Sequence, residues 1–165
     1  MYYLNSFFLY ALMGFILEST LFKNTTPLKT SGVLCGPITI VYGLGGLVIL
    51  LLDKYLLKKI KVNKVLKIII AFFLFTAVLT LVEGISGYLG ELIFDREMWN
   101  YTDKKYNIGK YMCLEMAPLW GIMGTILVFV LRPFFEKIIK LIPDVVTYFV
   151  TLIFLLDIVI TIITR

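Results

Sequence analysis

Five stretches of about 20 residues carry at most one charge each, and a helix of that length covers the roughly 30 Å of hydrocarbon in a bilayer. Tyr2 to Phe22 holds only Glu18, Val33 to Leu52 holds no charge, and Ile68 to Gly90 holds only Glu83. Tyr111 to Leu131 holds only Glu115, and Val145 to Thr164 only Asp157. Periodicity does not decide such segments, because a helix among lipids and other helices is apolar all round. Length decides them. Composition agrees: 60% of the 165 residues are hydrophobic and 16% are charged, against about a quarter charged in soluble domains.

The expected fold is therefore all-α, an integral membrane bundle of five transmembrane helices. A single transmembrane domain covers 1–165, with helices at about 2–22, 33–52, 68–90, 111–131 and 145–164 and a polar loop at 95–110. The first apolar stretch has no basic region before it and ends in Glu18, Ser19 and Thr20, so it reads as a retained helix rather than a cleaved signal.

All sixteen basic residues fall between or after these stretches. With a cytoplasmic N-terminus, nine lie inside: Lys54, Lys58, Lys59, Lys61, Lys64, Lys67, Arg132, Lys137 and Lys140. Seven lie outside, and the six-lysine connection dominates the balance, so the expectation is a multi-pass protein of the cell membrane with its N-terminus in the cytoplasm. Membrane lipids are the expected partner of the basic excess; nucleic acid is not.

The chain has no histidine. That removes the usual general base and the commonest metal ligand. No cofactor is expected, enzymatic activity is disfavoured, and two cysteines alone do not make a zinc site.

Parity of five spans puts the end of helix 1, the start of helix 2, the end of helix 3, the third loop and the start of helix 4 on one side. Glu18, Glu83, Glu91 and Glu115 all gather there. An ionised side chain at the bilayer centre costs about 2.5–3.5 kcal/mol on insertion scales, so these carboxylates need protons, basic partners, or shared water or a cation. One reading has them bonding headgroups and loops at the interface; the other has them lining a polar cavity open to one side. Gly84, Gly87 and Gly90 form a bare strip between Glu83 and Glu91, suited to close helix packing. Asp157 stands alone in its window with no assigned role.

Gly36 and Pro37 suit a sharp turn into a first helical turn. With Tyr42 and Gly43 they form a structural motif that either starts an ordinary helix or marks a broken segment with free N–H groups. The polar loop carries Arg96, Lys104, Lys105 and Lys110 beside Trp99, Tyr101, Tyr106 and Tyr111. It fits a headgroup belt, a lid over the glutamates, or both. Cys35 and Cys113 share that face, as a bridge or as two free thiols.

These pieces resemble the ABC-transporter type IV, or CmpB-like, family of small five-helix bacterial membrane proteins, from about Gly14 to Gly124. The matching residues are Gly14 to Glu18, Gly32 to Pro37, Tyr42 to Gly45, Glu83, Ser86, Glu91, Phe94, Trp99, Tyr101, Thr102, Tyr106, Asn107, Cys113 to Glu115, Trp120 and Gly121. Where the family pattern has Arg, Pro and Asp, this chain has Ser31, Ile40 and Asn100, and the expected Gly-Arg before the cysteine is displaced to Gly109 and Lys110.

The resemblance implies a transporter permease. The residues expected to bind ligand or couple protons are Glu18, Glu83, Glu91, Glu115, Trp99, Asn100, Tyr101 and Asn107. No GxxxxGK[ST] occurs in the chain, so an ATP-driven system would need a separate ATPase subunit. A homo-oligomer is a further expectation, because five short helices enclose little alone. The alternatives are a membrane enzyme acting on lipids or lipid-linked substrates, and a non-catalytic accessory subunit.

Overall fold

The computed structural model describes residues 1–21 and 33–164. Phe22, Lys23, Lys29, Ser31, Gly32 and Arg165 lie outside the described residues. The described residues are mostly helical, with one small hairpin. Helix α1 (Tyr2–Leu21) packs along α2 (Ile40–Leu52), which runs into a π-helical turn at Asp53–Leu57. The long α3 (Lys64–Phe94) follows. Strands β1 (Asn107–Ile108) and β2 (Met112–Cys113) pair antiparallel around Gly109, whose φ of 66° suits glycine in a tight hairpin. Helix α4 (Ala117–Ile126) continues through a π-helical turn (Leu127–Leu131) into α5 (Arg132–Leu141), and α6 (Asp144–Ile163) closes the chain.

Three helical stretches are long and apolar enough to cross a membrane: Ile40–Leu57, Lys64–Phe94 and Asp144–Ile163. Helix α1 is more polar, with Asn5, Ser6, Glu18 and three tyrosines along its length, and the α4–α5 rod carries Arg132, Glu136, Lys137 and Lys140.

Helix 2 starts at Ile40 rather than 33, because residues 33–39 spend their backbone groups elsewhere. Cys35 and Gly36 donate to the Asp157 carboxylate at 3.1 and 3.0 Å, and Thr39 donates to the Ala11 carbonyl at 3.2 Å. Helix 3 outruns 68–90 at both ends. The Asn63 side chain caps its start by accepting the Leu66 N–H at 2.8 Å, and left-handed Asp95 stops it. Helix 4 starts at Ala117 rather than 111, since 111–113 belong to the hairpin and Pro118 sits in the first turn.

The bare strip on α3 receives loop side chains instead of a helix. A Cβ at Gly84 would strike Met112, one at Gly87 would come within 2.6 Å of the Tyr111 ring, and one at Gly90 would meet Met98. The α3–α4 contact uses the other partner's glycines: Gly121 lies on Phe72 and Thr76, and Gly124 on Phe75. Ile49, Leu57, Ala71, Phe75, Leu79 and Val128 form the central core. Tyr10, Leu50, Phe135 and Ile139 form a second core toward the lysine-rich end.

Helix α6 keeps most of its apolar surface exposed and is fastened by specific contacts. Thr147 donates to Asn5 Oδ1 at 2.5 Å, Phe154 meets Phe7 and Phe8 edge-on, and Asp157 receives the two N–H groups named above.

Candidate functional site

Glu83 lies on the face of α3 turned toward α2, α4 and the polar loop, and is 4% exposed. Its two oxygens have separate donors: the Tyr101 hydroxyl at 2.8 Å and the Trp120 indole N–H at 2.9 Å. No Lys or Arg among the described residues pairs with it. Taking a carboxylate out of water costs several kcal/mol even after relaxation. Two hydrogen bonds to a charged group return about 1.5–3 kcal/mol each. These figures are close, so the two donors offset much of the cost of burying Glu83.

The surrounding groups come from every neighbouring element. Tyr42 of α2 meets Trp120 of α4 edge-on at 5.9 Å, and its hydroxyl lies near the Glu18 carboxyl of α1. Tyr42 fits there because Gly14 leaves room for its ring, as any Cβ at Gly14 would run into it. Below this cluster a cavity of about 170 Å³ opens between α1, α2, α3 and α4. Glu83, Tyr42 and Trp120 stand in its wall, and the rest is mostly apolar, including Met13, Leu17, Val41, Ile49, Leu79, Val82, Met123 and Leu127.

The loop is held in place by its own bonds. Tyr101 donates its N–H to the Lys110 carbonyl at 2.9 Å, and the Trp99 indole donates to the Tyr111 carbonyl at 3.1 Å. Glu91 does not join Glu83: it takes the Lys110 ammonium and the Tyr111 hydroxyl, the latter at 2.7 Å. Those bonds hold Lys110 above its ordinary range, the one to Glu91 contributing most. Burial and then the Glu83 carboxylate hold the Tyr101 phenol up as well.

The structure thus brings Glu18, Tyr42, Glu83 and Tyr101 into one cluster and places the remaining expected residues elsewhere. Glu115 is exposed, with Cys113 Sγ at 3.9 Å. Asn100 accepts from the Thr102 N–H and hydroxyl in a local turn, and Asn107 donates to the Gly109 carbonyl across the hairpin. Trp99 braces Tyr111, their rings 5.7 Å apart. Gly36 contacts Asp157, while Pro37 is exposed and Gly43 packs on Phe7. Cys35 and Cys113 are free thiols. Trp120 is the site residue that sequence reasoning left out. Its signal was an indole N–H inside an apolar window, a donor that must find an acceptor.

The family described as "Putative ABC-transporter type IV" matches residues 5–164. The chain belongs to the ABC-transporter type IV family. No curated protein and no solved structure matches it. In this family member the pieces that carry the sequence resemblance meet in space: the Gly14 to Glu18 run, Tyr42, Glu83, Tyr101 and Trp120 all contribute to one cluster. Asn100, which stands where the family pattern has Asp, spends its side chain on a turn two residues long and stays exposed.

Proposed function

We propose that this protein is a transport-type membrane subunit whose Glu83 cluster takes up and releases a positively charged species: a cation, a cationic solute or a proton. One observation carries the reading: a buried carboxylate without a described counter-cation stands in the wall of a cavity between four helices. Buried ionisable groups in membrane helices are expensive and mark solute or proton paths. Family membership supports a transport role, and a nucleotide-driven cycle would draw on a separate ATPase chain.

In this reading α1 and the α4–α5 rod also cross the bilayer, giving five spans. Helix α1 has 20 residues, about 30 Å at 1.5 Å per residue. The rod is longer still, and its basic residues begin at Arg132, beyond the apolar part. The lysine-rich end then faces the cytoplasm together with the N-terminus, and the Glu83 cluster lies toward the opposite face.

The test is flux in vesicles holding the purified chain, read with a pH dye and with labelled tetramethylammonium. Glu83→Gln should abolish the flux and Glu83→Asp should retain part of it. Equal flux through wild type and Glu83→Gln would end the proposal.

A further inference from the structure

Resting on that reading, we infer that the ligand class of this site is an organic cation with an apolar body, its charged head at Glu83 and its body in the cavity below. The donor set argues against a bare metal ion as cargo. Hard cations take six or more oxygen ligands. Each Glu83 oxygen already accepts a hydrogen bond, and no group of three or more His, Cys, Asp or Glu converges among the described residues.

What Glu83 does have beside it is aromatic. Tyr42 and Trp120 share the cavity wall with the carboxylate. A carboxylate flanked by aromatic rings is the chemistry that holds alkylammonium groups, since ring faces attract a weakly hydrated cation and Trp does so best.

Size sets the body. The cavity is about 170 Å³, close to the roughly 150 Å³ apolar cavity that stays dry and binds benzene. One aromatic ring or a short branched alkyl group fits. A strongly hydrated inorganic cation gains nothing from such walls, whereas an apolar body leaves water and fills the cavity.

The experiment uses the full chain with Trp99→Phe, so that Trp120 is the only tryptophan, in phosphatidylcholine vesicles. Trp120 emission is titrated with benzyltrimethylammonium, with tetramethylammonium (the head alone) and with neopentylbenzene (the uncharged isostere). Benzyltrimethylammonium should bind saturably and about tenfold or more tighter than either. Glu83→Gln should remove its advantage over neopentylbenzene. Gly45→Leu, which pushes a side chain into the cavity, should remove its advantage over tetramethylammonium. A Cβ at Gly45 would meet only Leu79, at 3.4 Å, so Gly45→Ala serves as the milder filling if the larger one fails to fold.

Neopentylbenzene or tetramethylammonium binding as tightly as the benzyl cation would overturn the inference. If Glu83-dependent proton or tetramethylammonium flux persists in that case, the ligand class falls and the transport reading stands. If no cation binds and flux ignores Glu83, both fall together.

Discussion

The Gly36 N–H donates to the Asp157 carboxylate at 3.0 Å, joining positions 121 residues apart, and the Cys35 N–H takes the other oxygen at 3.1 Å. A carboxylate that would cost several kcal/mol alone in a membrane helix thereby becomes the cap of a non-helical segment. Asp157→Ala should leave two backbone donors without their acceptor; the half-buried Gly36 N–H carries most of the cost, about 1–3 kcal/mol at most, because the Cys35 N–H is exposed. Gly36→Ala should also destabilise, because its Cβ would come within 2.8 Å of the same oxygen. Denaturant titration in micelles measures both. The double variant should lose less than the sum, since each change breaks the same contact.

At the opposite end, Asp53 is 6% exposed and pairs with Arg132, which also bonds Glu136 at 2.7 Å. Lys58 approaches Asp53 at 3.8 Å but is itself largely exposed, so Arg132 is the main counter-charge. This pair ties the end of α2 to the junction of α4 and α5. Removing one partner of a buried pair strands the other charge, typically costing about 3–5 kcal/mol. Asp53→Asn and Arg132→Met should each lower the unfolding midpoint sharply, and combining them should restore much of the loss. Additive losses in the double variant would show that the pair does not act as a unit.

Particular residues show what the sequence could and could not reveal. Apolar length exposed the helices, and their polar ends were harder to see: α3 extends to Lys64, where Asn63 caps it, although Lys64 and Lys67 interrupt the apolar run. The start of α2 was illegible, since what stops a helix at 33–39 is Asp157, more than a hundred residues away. Glu83 was legible as an expensive residue. Glu91 and Glu115 looked equivalent to it by parity, yet parity fixes only the side of the membrane. Direction around the helix and the reach of Lys110 separate them. The glycine strip was visible as bare surface, but nothing local in it says that Met112, Tyr111 and Met98 would fill it.

The five-span reading makes a sidedness prediction. Lys59 and Thr102 are exposed and belong to connections on opposite ends of α3. Single cysteines at these positions, introduced with Cys35→Ser and Cys113→Ala, should react with a membrane-impermeant maleimide from opposite sides of intact cells. Thr102→Cys should label from outside. Lys59→Cys should label only after the cells are opened. Labelling of both from one side would exclude α3 as a span, and a reversed pattern would keep the spans and invert the orientation.

The loop has its own pH dependence, because Tyr101 bonds Glu83 as a neutral phenol. Burial, and after it the Glu83 carboxylate, hold this phenol above the ordinary value of 10.0. In the folded protein it therefore keeps its proton where an exposed tyrosine has lost one. The contribution of the Tyr101–Glu83 bond is whole below about pH 10 and declines as pH climbs from there through the raised folded value. The unfolding midpoint in denaturant, followed by the emission of Trp99 in the loop and Trp120 at the carboxylate, should stay constant to about pH 10 and shift downward above it. Tyr101→Phe lacks the bond from the outset, so its midpoint should be lower at neutral pH and stay flat through the alkaline range. Tyr106→Phe alters an exposed ring resting under Lys105, so it should follow wild type. An alkaline shift that survives Tyr101→Phe would place its origin in another tyrosine or lysine.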